Sequence, residues 1–375
     1  MDYLNDLASI VKINSYTQNK DGVDKVGAVF DEWFKEIGYE VELHKRDSIG
    51  NHHYYKSKTK NNAKRLLLLG HLDTVFPPNK FENYTEDEKW IYGPGVCDMK
   101  GGNIVALQAL RELKKENIEI ENIDVLFVSD EESGSDDSKY LSQELAKNYD
   151  YCFVYEAAGV DMEVVTARKG VGTFFIDIKG KASHAGNHYA NGIDANLELS
   201  YKLQKLVQLT NLDLGTTLNV GKIDGGIGAN TISPHSKLTF EIRYKSESEK
   251  IRLLDAINKI VETSFVNGTV STLSGGIQRD VMQTSSKSLE LIKNIEKIIN
   301  EPLKYEERGG VSDANILSSL GVVTLDGFGP FGDGDHTVNE RASKSSFESR
   351  IKLSKKLFEF FIKNQDFKEK ICQEK

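Results

Sequence analysis

The sequence predicts an α/β protein with a smaller α+β domain inserted into it. Two observations predict this fold. Helical and strand periods alternate through about the first 160 residues, and from about residue 170 the order of elements becomes β-α-β-β-α-β. Helical periods return after about residue 281, and 375 residues are enough for two domains. We therefore expect residues 1–169 and 281–375 to form one domain and residues 170–280 the insert.

The elements of the first domain follow from the spacing of apolar residues. Apolar positions at helical spacing from Val26 to Ile37 predict a helix, and Gly38 is a typical helix stop. Strands are expected at residues 39–44, 65–70, 123–128 and 151–155, with a helix over residues 104–113. The last three strands are almost continuously apolar, as is typical of parallel strands buried on both faces. The domain should therefore hold a mixed sheet flanked by helices.

The insert is expected to be ferredoxin-like. Its predicted elements are strand 173–179, helix 194–209, strands 216–223 and 237–244, helix 249–263 and strand 265–273. Leu238, Phe240, Ile242 and Tyr244 alternate with polar residues, which predicts an antiparallel strand with one open face. Beyond the insert, helices are expected at residues 289–299 and 345–364, with a strand at residues 322–325.

Composition and charge exclude several classes of protein. The 48 basic and 57 acidic residues leave a net charge of −9, the wrong sign for neutralising nucleic-acid phosphates. No apolar run approaches the roughly 20 residues that span a bilayer, and the N-terminus lacks the pattern of a secretory signal. Three widely spaced cysteines, Cys97, Cys152 and Cys372, argue against a disulfide framework. We expect a soluble, cytoplasmic protein that binds neither nucleic acid nor membrane.

Histidine and acidic residues follow the ends of three predicted strands. His71 and Asp73 follow the first, Glu131 and Glu132 the second, and Glu156 the third. Ligands of open α/β sheets bind beyond the carboxyl ends of the strands. Each signal alone is weak, because a strand-end His–Asp pair is more often structural and an acidic run is more often solvated. Crowded carboxylates at one sheet edge, however, repel one another unless a cation neutralises them.

Two further segments carry candidate metal ligands. Asp98 lies in GPGVCDMKGG, where glycines and a proline constrain the backbone before a helix. A capped turn is the alternative interpretation of this segment. His336, in GDGDHTVNE after the strand at residues 322–325, supplies a second imidazole.

With all these positions in place, the chain resembles the di-zinc metallopeptidase family of carboxypeptidase G, succinyl-diaminopimelate desuccinylase, acetylornithine deacetylase and aminoacylase-1. The resemblance covers nearly the whole chain. Its segments stand in the family's order, as GHLDTV (70–75), GPGVCDMKGG (93–102), SDEESGS (129–135), YEAA (155–158), GKASHAG (180–186), GGVSDA (309–314) and HTVNE (336–340). It implies a zinc-peptidase-like catalytic domain with a ferredoxin-like lid that also forms a homodimer.

The resemblance implies two zinc ions per chain. Asp98 would bridge the two ions, one of which would be completed by His71 and Glu156 and the other by Glu132 and His336. A cis peptide bond is implied after Asp98. Manganese or cobalt would also suit these ligands.

The resemblance further implies the roles of residues that do not bind metal. Asp73 would orient His71, and Glu131 would be the general base for a water activated by both metals. His184 in the lid would stabilise the oxyanion, within its own subunit or across a dimer. Further contacts to the substrate are implied or suggested for Asn230, Arg243, Arg308, Gly309 and Gly310.

The expected reaction is cleavage of an amide bond next to a free carboxylate in a small peptide. Deacylation of an N-acyl amino acid is the second candidate within the family, and the sequence leaves both open. A binding protein that keeps the metals without catalysis is a third candidate, although it would not need Glu131.

Two short motifs raise functions of a different kind. A G-x-G-x-x-G motif, typical of dinucleotide-binding dehydrogenases, is formed by Gly327, Gly329 and Gly332. In such enzymes a helix begins at this motif, but here Pro330 and an acidic segment occupy that place. Cys97 is a candidate thiol nucleophile, but no adjacent base that could activate it is apparent.

Overall fold

The computed structural model describes residues 3–368, which form two compact units. The second unit comprises Arg168–Gln283 and Gly309–Val311, and the first comprises the rest of the described chain. Gly309–Val311 groups with the second unit, whereas the domain bounds expected from the sequence place it in the first. Cys372 lies outside the described residues.

The strands and helices are numbered in chain order. The strands are β1 (Glu40–His44), β2 (His52–Lys56), β3 (Leu66–His71), β4 (Thr85–Glu86), β5 (Trp90–Tyr92), β6 (Ile123–Val128), β7 (Tyr151–Val154), β8 (Val164–Arg168), β9 (Gly170–Lys179), β10 (Thr217–Gly225), β11 (His235–Tyr244), β12 (Val270–Arg279), β13 (Tyr305–Arg308), β14 (Val323–Leu325), β15 (Gly332–Asp333) and β16 (Arg341–Ser343). The helices are α1 (Tyr3–Val11), α2 (Lys20–Glu36), α3 (Lys100–Lys115), α4 (Ser138–Ala146), α5 (Ala195–Val207), α6 (Glu247–Glu262), α7 (Ser286–Ile299), α8 (Ala314–Ser319) and α9 (Lys344–Asn364).

A six-stranded mixed sheet in the order β1-β2-β6-β3-β7-β14 forms the centre of the first unit. β3 pairs in parallel with β6 and β7, β14 pairs in parallel with β7, and β2 joins β6 antiparallel. Leu66 and Leu68 enter the large core with α2, α3, α7 and α9, whereas Leu67 and Leu69 are buried but lie outside that core cluster. Because successive side chains point to opposite faces, the continuous leucine run serves a strand buried on both sides. The predicted mixed sheet flanked by helices is confirmed.

A smaller sheet brings two distant parts of the first unit together. Its order is β15-β16-β5-β4, and in the pairing of β16 with β5 Arg341 faces Tyr92. This pairing places the chain that follows His336 beside the turn that precedes α3. Sequence periodicity predicted neither strand, because each has only three residues.

The second unit contains an antiparallel sheet in the order β10-β11-β9-β12. Its elements follow the chain order β-α-β-β-α-β, and α5 and α6 share a separate apolar core with the sheet. The strand predicted at residues 265–273 is wrong in its bounds, since β12 begins at Val270. Residues before it form a turn, because the N–H groups of Phe265 and Val266 donate to the buried Glu198 carboxylate and Gly268 has φ +91°.

Within residues 3–368, no helix combines the length and apolarity needed to cross a membrane. The cytoplasmic location expected from the sequence stays a prediction.

Candidate metal centre

Three neighbouring parallel strands carry candidate ligands to one edge of the central sheet. β3 ends at His71, the short helical turn Glu131–Ser133 follows β6, and Glu156 lies two residues beyond β7. β3 is between β6 and β7 in the sheet. Because the three strands are parallel, their carboxyl ends meet at the same edge, and the side chains that follow them lie close together.

The turn that carries Asp98 approaches the same edge from the start of α3. A Cβ atom added to Gly102 would lie 1.8 Å from the main-chain oxygen of Tyr155. Only glycine therefore allows α3 to pack this closely against the chain that leaves β7. The peptide bond between Asp98 and Met99 is cis, which confirms that expectation.

The two oxygens of Asp98 face two different imidazoles. Its Oδ1 lies 3.2 Å from Nε2 of His71, and its Oδ2 lies 3.3 Å from Nε2 of His336. The first imidazole is also 3.7 Å from Glu156 Oε1, and the second is 3.2 Å from Glu132 Oε2. The structure thus brings together all five residues expected to bind metal, with Asp98 between the two pairs.

The tautomer of His71 leaves one ring nitrogen available for a cation. Its Nδ1 donates to the main-chain oxygen of Asp73 at 3.0 Å and lies 3.4 Å from Oδ1 of the same residue. Because both neighbours are acceptors, Nδ1 carries a proton, and the second proton, which Nε2 shares with Asp98, is the one that a bound cation would replace. A histidine ligand held in this way by a carboxylate residue is the usual arrangement at metal sites.

Asp73 also holds the turn that follows β6. Its Oδ1 accepts the N–H of Glu131 at 3.3 Å, and its Oδ2 accepts the N–H of Glu132 at 3.2 Å and the hydroxyl of Thr17 at 2.6 Å. Asp73 is fully buried. One carboxylate therefore connects His71 with both acidic residues of the neighbouring strand end. The contact with Thr17 had no signal in the sequence.

The protonation behaviour of the cluster shows that it lacks positive charge. Burial, and then the negative charge of Asp98, raise the pKa of Glu132 to about 8, and the same two causes raise the pKa of Glu156 well above its usual range. Burial lowers the pKa of His71, but hydrogen bonds to Asp73 and Asp98 outweigh this effect and raise it. Protons thus lie between the carboxylates and the imidazoles, at places where a divalent cation would neutralise the same negative charge.

The donor set fits zinc or a similar divalent ion. Imidazole nitrogen and carboxylate oxygen are ordinary zinc ligands, and His71, Asp98 and Glu132 present ligand atoms within 4.8 Å of one another. With two imidazoles on opposite sides of Asp98, the residues suffice for two ions that share one carboxylate. The number of ions and the ligand assignments stay predictions.

Glu131 lies beside the cluster without being among the five. Only 8% of its surface is exposed, and its negative charge contributes to the raised pKa values of Glu132 and Glu156. Its main-chain N–H is held by Asp73. A carboxylate at this place can exchange a proton with a reacting group, the role expected for it from the sequence.

Glu340 is a residue of the centre whose role was not foreseen from the sequence. Its carboxylate accepts three main-chain N–H groups, those of Gly95, Cys97 and Asp98. Burial, and then the charge of Asp98, raise its pKa to about 7. The only signal for it was its place four residues after His336 in HTVNE.

His184 and Asn230 lie on adjacent exposed loops of the second unit. His184 pairs with Thr231 in a short β-bridge, and the main-chain oxygen of Asn230 accepts the N–H of Ala185 at 2.9 Å. Nδ1 of His184 accepts the N–H groups of Gly186 and Asn187, both at 3.1 Å. Because Nδ1 accepts, a proton on the ring lies on Nε2, from which it can donate a hydrogen bond.

Arg243 and Gly309 also lie together in the second unit. Nη1 of Arg243 donates to the main-chain oxygen of Gly309 at 3.2 Å, and the oxygen of Gly310 accepts from Arg168. Arg308, in contrast, donates to the main-chain oxygen of Ala157 at 2.9 Å. Arg308 thus supports the chain next to Glu156, a structural contact that had no signal in the sequence.

The dehydrogenase and thiol-nucleophile motifs find no support in the structure. Burial raises the pKa of Cys97 well above its ordinary value, so this thiol is not an activated nucleophile. The glycine motif that begins at Gly327 leads into β15 at Gly332, not into a helix whose N-terminus could bind phosphate.

The chain is similar in sequence to known peptidases and deacetylases. The model of peptidase family M20/M25/M40 matches residues 67–359. Carboxypeptidase G2 of Pseudomonas sp. (strain RS-16) is 27% identical over an alignment of 370 residues that covers 94% of this chain and 87% of that protein. Acetylornithine deacetylase of Erwinia tasmaniensis is 29% identical over an alignment of 227 residues that covers 56% of this chain and 58% of that enzyme.

Solved structures show the same fold at lower identity. The aminopeptidase PepT of Bacillus cereus superposes with a TM-score of 0.78 at 21% identity, covering 97% of this chain and 98% of that one. An M20 family metallo-carboxypeptidase of Sulfolobus solfataricus gives a TM-score of 0.74 at 17% identity, covering 96% and 99%. These similarities extend over both units of the chain.

Proposed function

The chain belongs to peptidase family M20/M25/M40, and from this membership and the geometry of its metal centre we propose that it is a two-zinc exopeptidase. It would cleave an amide bond next to a free carboxylate. One observation carries the two-ion proposal, namely that the two oxygens of Asp98 face His71 and His336 at 3.2 and 3.3 Å. A carboxylate that faces two imidazoles in this way is suited to bridge two cations.

Each ion would have its own pair of ligands beside the shared Asp98. His71 and Glu156 would hold one ion, and Glu132 and His336 the other. Two zinc ions, when bound, polarise a scissile carbonyl and lower the pKa of a water molecule. Manganese or cobalt could take the same places, because both accept imidazole and carboxylate ligands.

Glu131 is the proposed general base. Its carboxylate would take a proton from the attacking water as the new C–O bond forms, and it would return that proton to the amine nitrogen as the C–N bond breaks. Asp73 supports this role, because it holds the main-chain N–H groups of both Glu131 and Glu132. Neighbouring residues thus divide the work, with Glu132 binding metal and Glu131 moving protons.

Residues of the second unit are proposed to bind the substrate. The planar guanidinium of Arg243 suits a carboxylate, and its contact with Gly309 places a backbone segment beside it. Asn230 would contact the substrate's carbonyl or carboxylate group, Gly310 would present its N–H, and Nε2–H of His184 would donate to the oxyanion. Arg308 would act mainly through the chain next to Glu156.

The similarity to acetylornithine deacetylase supports a second candidate, removal of the acyl group from an N-acyl amino acid. The similarity to carboxypeptidase G2 covers more of the chain, so a peptide with a C-terminal residue such as glutamate is the first candidate. Both substrates carry a free carboxylate beside the scissile amide.

The test is a panel of dipeptides and N-acyl amino acids, each with a matched C-terminal carboxamide. Metal content of the purified protein is measured in parallel. We expect about two bound ions, hydrolysis that chelator abolishes, and no cleavage of the carboxamides. Replacement of Arg243 by alanine should raise KM for the carboxylate substrates. Equal cleavage of acids and carboxamides would refute the proposed recognition, and hydrolysis that survives removal of all metal would refute the mechanism.

The homodimer implied by the resemblance also stays a prediction. Sedimentation equilibrium of the full chain tests it, since a single species at the monomer mass would contradict it.

A further inference from the structure

Glu340 joins two segments of the first unit that are far apart in sequence. Its Oε2 accepts the N–H of Gly95 at 3.0 Å, and its Oε1 accepts the N–H groups of Cys97 and Asp98 at 3.0 and 3.1 Å. Its main-chain oxygen accepts the N–H of Gly93 at 3.3 Å. One residue thus holds the whole turn from residue 93 to residue 98.

The same residue is close in sequence to the other imidazole of the centre. His336 precedes it by four residues, and β16 begins directly after it. His336 has φ +60°, and only 1% of Glu340 is exposed. The exposed side chain of His336 therefore reaches Asp98 from a loop whose end is fixed by a buried residue.

We propose that Glu340 is a positioning residue that sets the separation between Asp98 and His336, and that it thereby determines the affinity of the centre for the ion held by Glu132 and His336. The inference rests on the proposed function. It adds to that proposal a residue that touches neither substrate nor ion and acts through the N–H of Asp98.

The chemistry of the contacts explains why a carboxylate is needed. A carboxylate accepts hydrogen bonds at both oxygens, whereas a glutamine would turn an NH₂ group toward at least one of the three N–H donors. An apolar side chain would leave all three buried donors without a partner. The negative charge of Glu340 lies close to that of Asp98, which is unfavourable on its own. Cations bound at Asp98 would offset this repulsion.

The matched control is Glu198, a buried carboxylate of the second unit. Its Oε2 accepts the N–H groups of Phe265 and Val266 at 2.9 and 2.6 Å, and none of its surface is exposed. E340Q and E198Q both disturb hydrogen bonds from backbone N–H groups to a buried carboxylate. E198Q also removes the buried ion pair with Lys202 Nζ at 3.0 Å, so it is the more severe test of a general effect on stability. Only E340Q touches the turn that carries Asp98.

The experiment titrates zinc into the metal-free wild-type protein and both variants by calorimetry, and measures hydrolysis across the same zinc concentrations. We expect E340Q to bind one ion with wild-type affinity and the second about 10- to 100-fold more weakly. Excess zinc should restore much of its kcat. E198Q should lower the unfolding temperature and leave both zinc affinities unchanged.

Three results would overturn the inference. One is wild-type binding of both ions by E340Q. Another is a similar loss of zinc affinity in E340Q and E198Q, which would mean a general effect of stability. The third, a wild-type protein with neither bound metal nor hydrolysis, would instead remove the proposed function on which the inference rests. If E340Q does not fold, E340D keeps the charge on a side chain one methylene shorter and is subject to the same expectations.

Discussion

Replacing Asp73 by asparagine tests whether one carboxylate aligns the base and the metal ligands. Asp73 receives the N–H groups of Glu131 and Glu132, the hydroxyl of Thr17 and the Nδ1–H side of His71. An asparagine has a single oxygen, so its NH₂ group must face one of the two backbone donors. In the less disruptive orientation the NH₂ replaces Oδ2. The hydroxyl of Thr17 can then rotate to accept, and the bond from the N–H of Glu132 is lost.

The expected loss of activity in D73N follows from the one hydrogen bond that the asparagine cannot accept. One hydrogen bond to a buried charged group contributes about 1.5–3 kcal/mol, and the remaining bonds weaken when the charge is removed. If this free energy is lost from the alignment of the reacting groups, kcat/KM should fall about 10- to 100-fold. Zinc affinity should fall in the same variant, because Asp73 orients both His71 and the turn that contains Glu132.

Thr17 provides the matched variants for this prediction. T17V removes one donor to Asp73 but keeps its charge and both backbone contacts, so stability should fall while kcat/KM changes less than in D73N. T17S keeps the hydroxyl and should resemble the wild type. Steady-state kinetics, zinc titration and urea unfolding of all three variants check these expectations. The reasoning is refuted if D73N retains wild-type kcat/KM and zinc affinity.

Three further predictions concern the base, the metal and the fold. E131Q should retain its zinc while kcat falls about 10²- to 10⁴-fold, measured by metal analysis and steady-state kinetics, because the side chain moves a proton without binding the ions; unchanged kcat would remove Glu131 from the mechanism. Chelation should lower the unfolding temperature, measured by calorimetry. Zinc at 100 times its dissociation constant should restore about 2.7 kcal/mol of the free energy of unfolding per site. An unfolding temperature that does not change with zinc would contradict a metal centre in the folded state. G102A should destabilise by about 1–3 kcal/mol or more in urea, because its Cβ would meet the oxygen of Tyr155 at 1.8 Å. G276A, whose Cβ would have no neighbour within 4 Å, is its control and should have little effect.

Several elements were predictable from local pattern because one local cause determined each. The continuous apolar run that ends at His71 indicates a strand buried on both faces, and β3 occupies Leu66–His71. The strand predicted at residues 123–128 coincides with β6. Residues 265–269 were predicted as strand and form a turn, because a carboxylate from α5 takes two of their N–H groups. Such a contact depends on the packing of another element and leaves no local pattern.

The same distinction applies to the candidate centre. Strand-end positions and constrained turns marked the segments that carry His71, Asp98, Glu132, Glu156 and His336, and the family resemblance implied that these five act as one set. The roles of Thr17 and Glu340 were not recognisable, because a buried hydroxyl or carboxylate that bonds to another buried group carries no sequence signature of its own. The hydrogen bond that Arg308 donates to Ala157 was likewise not recognisable, and the contact expected between Arg308 and substrate stays a prediction.

By itself the sequence determined which residues stand at the carboxyl ends of buried strands, because apolar periodicity and turn-forming glycines are local properties of the chain. Only the tertiary structure decided which carboxylate faces which imidazole. His336 meets Asp98 because β16 pairs with β5 and because Glu340 holds the turn before α3. Those contacts join segments about 240 positions apart in the chain, and their energies come from hydrogen bonds and packing that exist only after the sheet has assembled.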